Sequence, residues 1–153
     1  MEARMTQPTL PAAGQRILVA VDLGPGTEAF LAEVGRWGAA LGAPLDLLHV
    51  LDVGRMPPWL GDGEAERMRT KSWVELEQLR ERLPLALQGA VLVAEGSPAD
   101  AIAERAPGHF AVVVATRPER GLGWRLGSVA TRVVKACSVP VIVFRSPAEM
   151  EEG

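Results

Sequence analysis

The sequence predicts an α/β fold, a doubly wound parallel sheet of five strands with helices on both faces. Three observations predict it. Five short apolar runs rich in β-branched residues recur along the chain; between them lie segments with helical spacing or helix-start signals; and glycine, proline and serine punctuate the joins. Strands that alternate with helices pair in parallel, because each crossover returns the chain to the same end of the sheet. With 153 residues, 48% of them hydrophobic, the chain fits one domain with a full core.

Residues 17–22 (ILVAVD) are too short and too β-branched for a helix and read as a buried first strand. Gly24, Pro25 and Gly26 break it. Phe30, Val34, Trp37 and Leu41 then share one helical face, with Thr27 as the expected cap and Gly42 as the expected stop. Residues 45–51 form a second strand. A helix over 64–83 carries Ala65, Met68, Ser72, Leu76, Leu79 and Leu83 on one stripe and ends at Pro84. Residues 90–94 form the third strand; Ser97 suits an N-cap and Pro98 the first position of a helix that runs to about residue 106. The fourth strand spans 111–115, the fourth helix 128–136 and the fifth strand 139–144. Residues 1–15 are expected to form a loose tail, 16–145 the folded domain and 146–153 an acidic tail.

Composition narrows the partners. A net charge of -3 and a pI near 5.4 argue against nucleic acid and against a membrane surface, which call for a basic face. No run approaches a membrane span, the N-terminus lacks the apolar segment of a signal peptide, and the single Cys137 excludes an internal disulfide. These features read as a cytoplasmic protein. Cys137, among Val133, Val134 and Val139, reads as an inert thiol. His49 and His109 have no metal-ligand neighbours at useful spacing and read as structural, and no metal site is expected.

The segment after the fourth strand, TRPERGLGWRLGS, carries the chemical signal. A glycine-rich loop that leads into a helix offers backbone N–H groups and the positive end of a helix dipole, a way to hold phosphate. Gly127 and Ser128 open that helix, as a plain cap or as phosphate contacts; Arg117, Arg120 and Arg125 supply positive charge or simply a solvated surface. Trp124 fits beneath the loop or at a subunit contact. If strand 1 lies beside strand 4, this loop faces the turn after Asp22 across the crevice where ligands of such sheets bind. Asp22 then either accepts hydrogen bonds from an adenine amino group or ribose hydroxyl, or caps its own turn. Residues 56–60 (MPPWL) form an apolar loop, a lid, a partner patch or a cover for the core. No catalytic constellation is present.

Over some 130 residues the chain resembles the universal stress protein family, through ILVAVD and its Gly/Thr turn, DLLHV, VLVAEGSPADAIAERA, and the Gly-Ser helix ending in VPVIVF. The resemblance implies a three-layer fold of the adenine nucleotide alpha hydrolase type, strand order 3-2-1-4-5, and a homodimer through the last strand with Val139, Val141 and Val143 at the interface. Family members that bind ATP carry Gly, two residues, Gly, nine residues, then Gly-Ser or Gly-Thr. Here Ala115 and Pro118 replace the first two glycines, eight residues separate Pro118 from Gly127, and only Gly127-Ser128 matches. Proline offers no N–H and fixes its φ, so part of the phosphate cradle is lost.

Two functions follow from this. One is a stress-response dimer that works through contacts with a protein partner, with Trp59 and Trp124 as anchors and weak or no ATP binding. The other is a regulator that binds an adenine nucleotide, ATP or AMP, with magnesium only if ATP is bound, through Asp22, Ala115, Arg117, Arg120, Gly127 and Ser128. Hydrolysis would at most be slow. An adenylating enzyme of related fold is disfavoured, because VDLGPGTEA carries neither of the signature loops of those enzymes.

Overall fold

The computed structural model describes residues 15–116 and 127–145. The two expected tails fall almost wholly outside this range. Five strands, β1 (Ile17–Ala20), β2 (Leu45–Leu51), β3 (Gln88–Glu95), β4 (Ala111–Thr116) and β5 (Val141–Arg145), form one sheet of order β3-β2-β1-β4-β5. Every pairing is parallel. Four helices cross over between them: α1 (Thr27–Leu41), α2 (Asp62–Glu81), α3 (Pro98–Arg105) and α4 (Ser128–Ala136).

Alternation along the strands divides the core in two. Ile17, Val19, Leu45, Leu47 and Val113 face α1 and α2, where they meet Phe30, Val34 and Leu76. Leu18, Leu48, Val112 and Val114 face α3 and α4, where they meet Ile102, Ala130 and Val133. Both faces of the inner strands are covered, which is why those strands read as continuous apolar runs.

Several local expectations shift. Thr27 is the first residue of α1; the cap position is Gly26, whose φ of 85° suits glycine. Gly42 ends α1 at φ 65°, its N–H shared between the Ala39 and Gly38 carbonyls, as the stop signal predicts. Trp37 lies on the edge of the apolar stripe, 49% exposed, with its ring perpendicular to Phe144 at 5.9 Å. Met68 is likewise exposed, while Ser72 and Leu76 hold the buried line of α2. Val139 precedes β5, because pairing with β4 starts at Val112 opposite Val141.

One carboxylate ties the strand entrances together. Asp46 sits second in β2, buried in an otherwise apolar run. Its Oδ1 accepts the Ala90 N–H at 2.7 Å and the Arg16 guanidinium at 3.1 Å, and its Oδ2 lies 2.9 Å from His109 Nε2. His109 Nδ1 in turn lies 3.0 Å from the Arg105 carbonyl. The β2–β3 register slips between Leu45 and Leu47, so β3 carries an extra residue there, and Asp46 takes up an amide at that bulge. Arg16 is half exposed and adds little energy. The buried amide and imidazole contacts carry the weight, since a buried donor left unpaired costs about 1–3 kcal/mol.

Gly89 belongs to the same knot. A Cβ at this position would stand 2.4 Å from both Asp46 Oδ1 and the Leu45 carbonyl oxygen. Gly89→Ala is therefore expected to lower the unfolding free energy by about 2 kcal/mol or more, and Asp46→Ala by about 3 kcal/mol. Urea unfolding measures both, and midpoints within error of the wild type would refute the role of the knot.

Candidate functional site

The strand order reverses between β1 and β4, and the carboxyl ends of these two strands open onto a cleft of about 400 Å³. In an open parallel sheet this is where crossovers leave in opposite directions and space remains for a ligand. The walls come from the β1–α1 turn, the end of β2, the start of α3 and the first turn of α4. They are mainly apolar, with Phe30, Val50 and Ile102 among them, and a few polar groups at defined places.

The β1–α1 turn is self-bonded. Asp22 Oδ1 accepts the Gly24 N–H at 3.0 Å and lies 3.2 Å from the Thr27 hydroxyl, which donates more closely to the Gly24 carbonyl at 2.7 Å. Asp22 thus caps its own turn, while its side chain stays exposed at the cleft rim. Between them Leu23 holds φ 61°, a left-handed conformation that costs a leucine about 1 kcal/mol or more. The bonds around it offset that cost.

His49, at the end of β2, has Nδ1 2.7 Å from the Val21 carbonyl, and the Val21 N–H reaches the Leu48 carbonyl at 2.8 Å. A carbonyl only accepts, so Nδ1 carries the proton. His49 is structural in that it fixes the exit of β1, and it also lines the cleft. His109 lies at the opposite end of the sheet, in the Asp46 knot.

On the far wall Thr116 closes β4 and Gly127 precedes α4. The Gly127 N–H donates to Thr116 Oγ1 at 2.7 Å, and the Gly127 carbonyl accepts the Thr131 N–H at 3.0 Å. Gly127 is the cap residue; Ser128 is the first helical residue, exposed and lining the cleft. The first-turn amides of a helix have no partner within it and carry the positive end of its dipole. Pro98 opens α3 on the adjoining wall, as expected, although the Ser97 cap position makes no side-chain bond and its buried Oγ has no partner among the described residues.

The structure therefore brings Asp22, Ala115, Gly127 and Ser128 to one cleft and adds Thr116 and His49. Arg117, Arg120, Arg125 and Trp124 lie outside the described residues. Among the described residues no group of histidine, cysteine and acidic side chains is arranged to hold a metal ion.

The family model described as the universal stress protein family matches residues 14–145. The chain belongs to the universal stress protein family. No curated protein matches it in sequence. Among solved structures it is similar to the universal stress protein UspA from Lactobacillus plantarum, at 22% identity and TM-score 0.67 over 86% of this chain and 98% of that one. It is similar to a universal stress protein in complex with cAMP, at 21% identity and TM-score 0.59, covering 86% and 97%. The universal stress protein from Archaeoglobus fulgidus in complex with dAMP aligns at 20% identity and TM-score 0.53, covering 84% and 96%. At these identities the likeness is one of fold, and it agrees with the sheet order of this family member.

Sequence reasoning missed Thr116 and the cleft face of His49. A threonine as the last residue of an apolar strand, ahead of a long loop, is the signal that could have found the first. Cys137 is half-buried against the α3/α4 core, and burial pushes its thiol above the ordinary range. A raised pKa means less thiolate at a given pH. Iodoacetamide at pH 8 is accordingly expected to alkylate Cys137 more slowly than a small free thiol, as intact-mass spectrometry would show. Thr27→Val, which removes the hydroxyl from the β1–α1 turn, is expected to cost about 1 kcal/mol in thermal unfolding.

Proposed function

We propose that this universal stress protein is a non-catalytic regulator that holds an adenine nucleotide with a single phosphate, an AMP-like ligand, in the cleft between β1 and β4. The observation that carries this reading is the meeting of the α4 N-terminus, at Gly127 and Ser128, with a cleft whose about 400 Å³ lies within the range of small-molecule sites. The apolar walls suit a base, the Asp22 rim suits a ribose or an amino group, and the helix end suits a phosphate. Two relatives of similar fold are described in complex with cAMP and dAMP, ligands with one phosphate each. Ala115 and Pro118 stand where glycines would let the backbone wrap a longer chain, which favours one phosphate over three. Arg117 and Arg120 would add charge at the phosphate end.

The protein acts as a homodimer through β5 in this reading. β5 is a sheet edge beside only β4, and an unpaired apolar edge is a template for a second chain. Val112 N–H bonds to the Pro140 carbonyl, so by the alternation of a parallel ladder the N–H groups of Val141 and Val143 point away from β4. Their side chains, with that of Val139, pack against the α3/α4 core. A charge at Val141 would therefore disturb core and edge together. Contacts with a protein partner form the second reading, favoured by Trp59, which is 73% exposed in the loop after β2.

Calorimetric titration is expected to give micromolar AMP affinity, at least about tenfold weaker ATP-magnesium binding, and no binding after Ser128→Trp. Equal affinity for AMP and ATP would refute the single-phosphate preference, and no binding of either at millimolar concentration would refute the nucleotide reading. Val143→Pro removes an outward N–H at a position where an edge strand tolerates proline, and should shift sedimentation from dimer to monomer with the fold retained. A dimer that persists would rule out pairing through β5.

A further inference from the structure

We infer that Thr116 is the residue that organises the phosphate end of the cleft, as a positioning residue through Gly127 and as a hydrogen-bond donor to the phosphate. The inference rests on the nucleotide reading above and names a group that neither the glycine pattern nor the loop arginines include. Thr116 is buried, 2% exposed, at the last position of β4, opposite Arg145 in the β5 register, and it lines the cleft beside Gly127 and Ser128. Its Oγ1 accepts the Gly127 N–H at 2.7 Å.

That bond has two consequences. It fixes the backbone of Gly127 in an extended conformation, φ -61° and ψ 159°, one residue before the helix, and so sets the direction of the first-turn amides of α4. It also occupies an acceptor site of the hydroxyl and leaves its one proton to be donated. A hydroxyl that accepts an N–H is polarised toward donation, the more so away from water. An anion seated at the α4 N-terminus supplies the acceptor, and a hydrogen bond to a charged oxygen is about twice as strong as a neutral one. The cradle thus depends on a side chain of the strand as well as on loop glycines, which explains how a phosphate can be held where Ala115 and Pro118 have replaced two of them.

Thr116→Val keeps the shape and removes the hydroxyl, while Thr116→Ser keeps the hydroxyl. Without ligand, amide exchange at Gly127 followed by NMR is expected to be slow in the wild type and in Thr116→Ser and faster in Thr116→Val. With ligand, Thr116→Val is expected to weaken AMP binding about tenfold or more and leave adenosine binding unchanged, and Thr116→Ser to bind both as the wild type does. Melting curves establish that each variant is folded. Unchanged AMP affinity in Thr116→Val, or equal losses for AMP and adenosine, would overturn the role of Thr116 alone. A wild type that binds neither AMP nor adenosine would overturn the nucleotide reading and the phosphate role with it.

Discussion

The structure depends on one buried carboxylate at the end of the sheet remote from the cleft. Asp46 bonds to Ala90 in β3, to Arg16 just before β1 and to His109 just before β4, so one side chain on β2 sets the height of its neighbours. Register in a sheet buried on both faces has no slack, since a slip of one residue exchanges the two cores. The cleft is a relation between the far ends of β1 and β4. Their level is set by the direct pairing of β1 with β4, and the Asp46 knot ties the beginnings of these strands to a common point.

At the cleft end the same economy of polar groups appears in another form. Asp22, Thr27, His49 and Thr116 all bond first to backbone, and those bonds shape two turns and one strand exit. Buried or half-buried polar groups must find partners, and here they find them in the segments that border the cleft. The cleft is bordered by groups whose bonds to backbone hold its walls in place.

The fold was largely legible in the sequence, because β-branched runs and helix punctuation are local signals. Ser128–Ala136 was readable at both ends, since Gly127 sits ahead of it and the apolar spacing runs out at Ala136. Residues whose state depends on a partner elsewhere were not readable. Val139 belongs to the same apolar run as Val141, but its strand starts only where β4 offers a mate. Trp37 follows the helical period of α1 and yet lies half in solvent, because the sheet beneath that edge ends at β5 and Phe144. Asp46 did carry a signal, a carboxylate inside LDLLHVL that had to be paired. Its partners, 30 to 63 residues away in sequence, could not be named without the topology.

The bond between Thr116 and Gly127 closes the segment between β4 and α4 at its base, with ten residues in between. A chain joined at its two roots can gain, lose or exchange residues between them with little effect on what the roots support, since closure entropy changes slowly with length. Residues between the two roots, such as Pro118, can then change in kind and number without moving the start of the helix. A loop of different sequence grafted between Thr116 and Gly127 would then leave the domain folded.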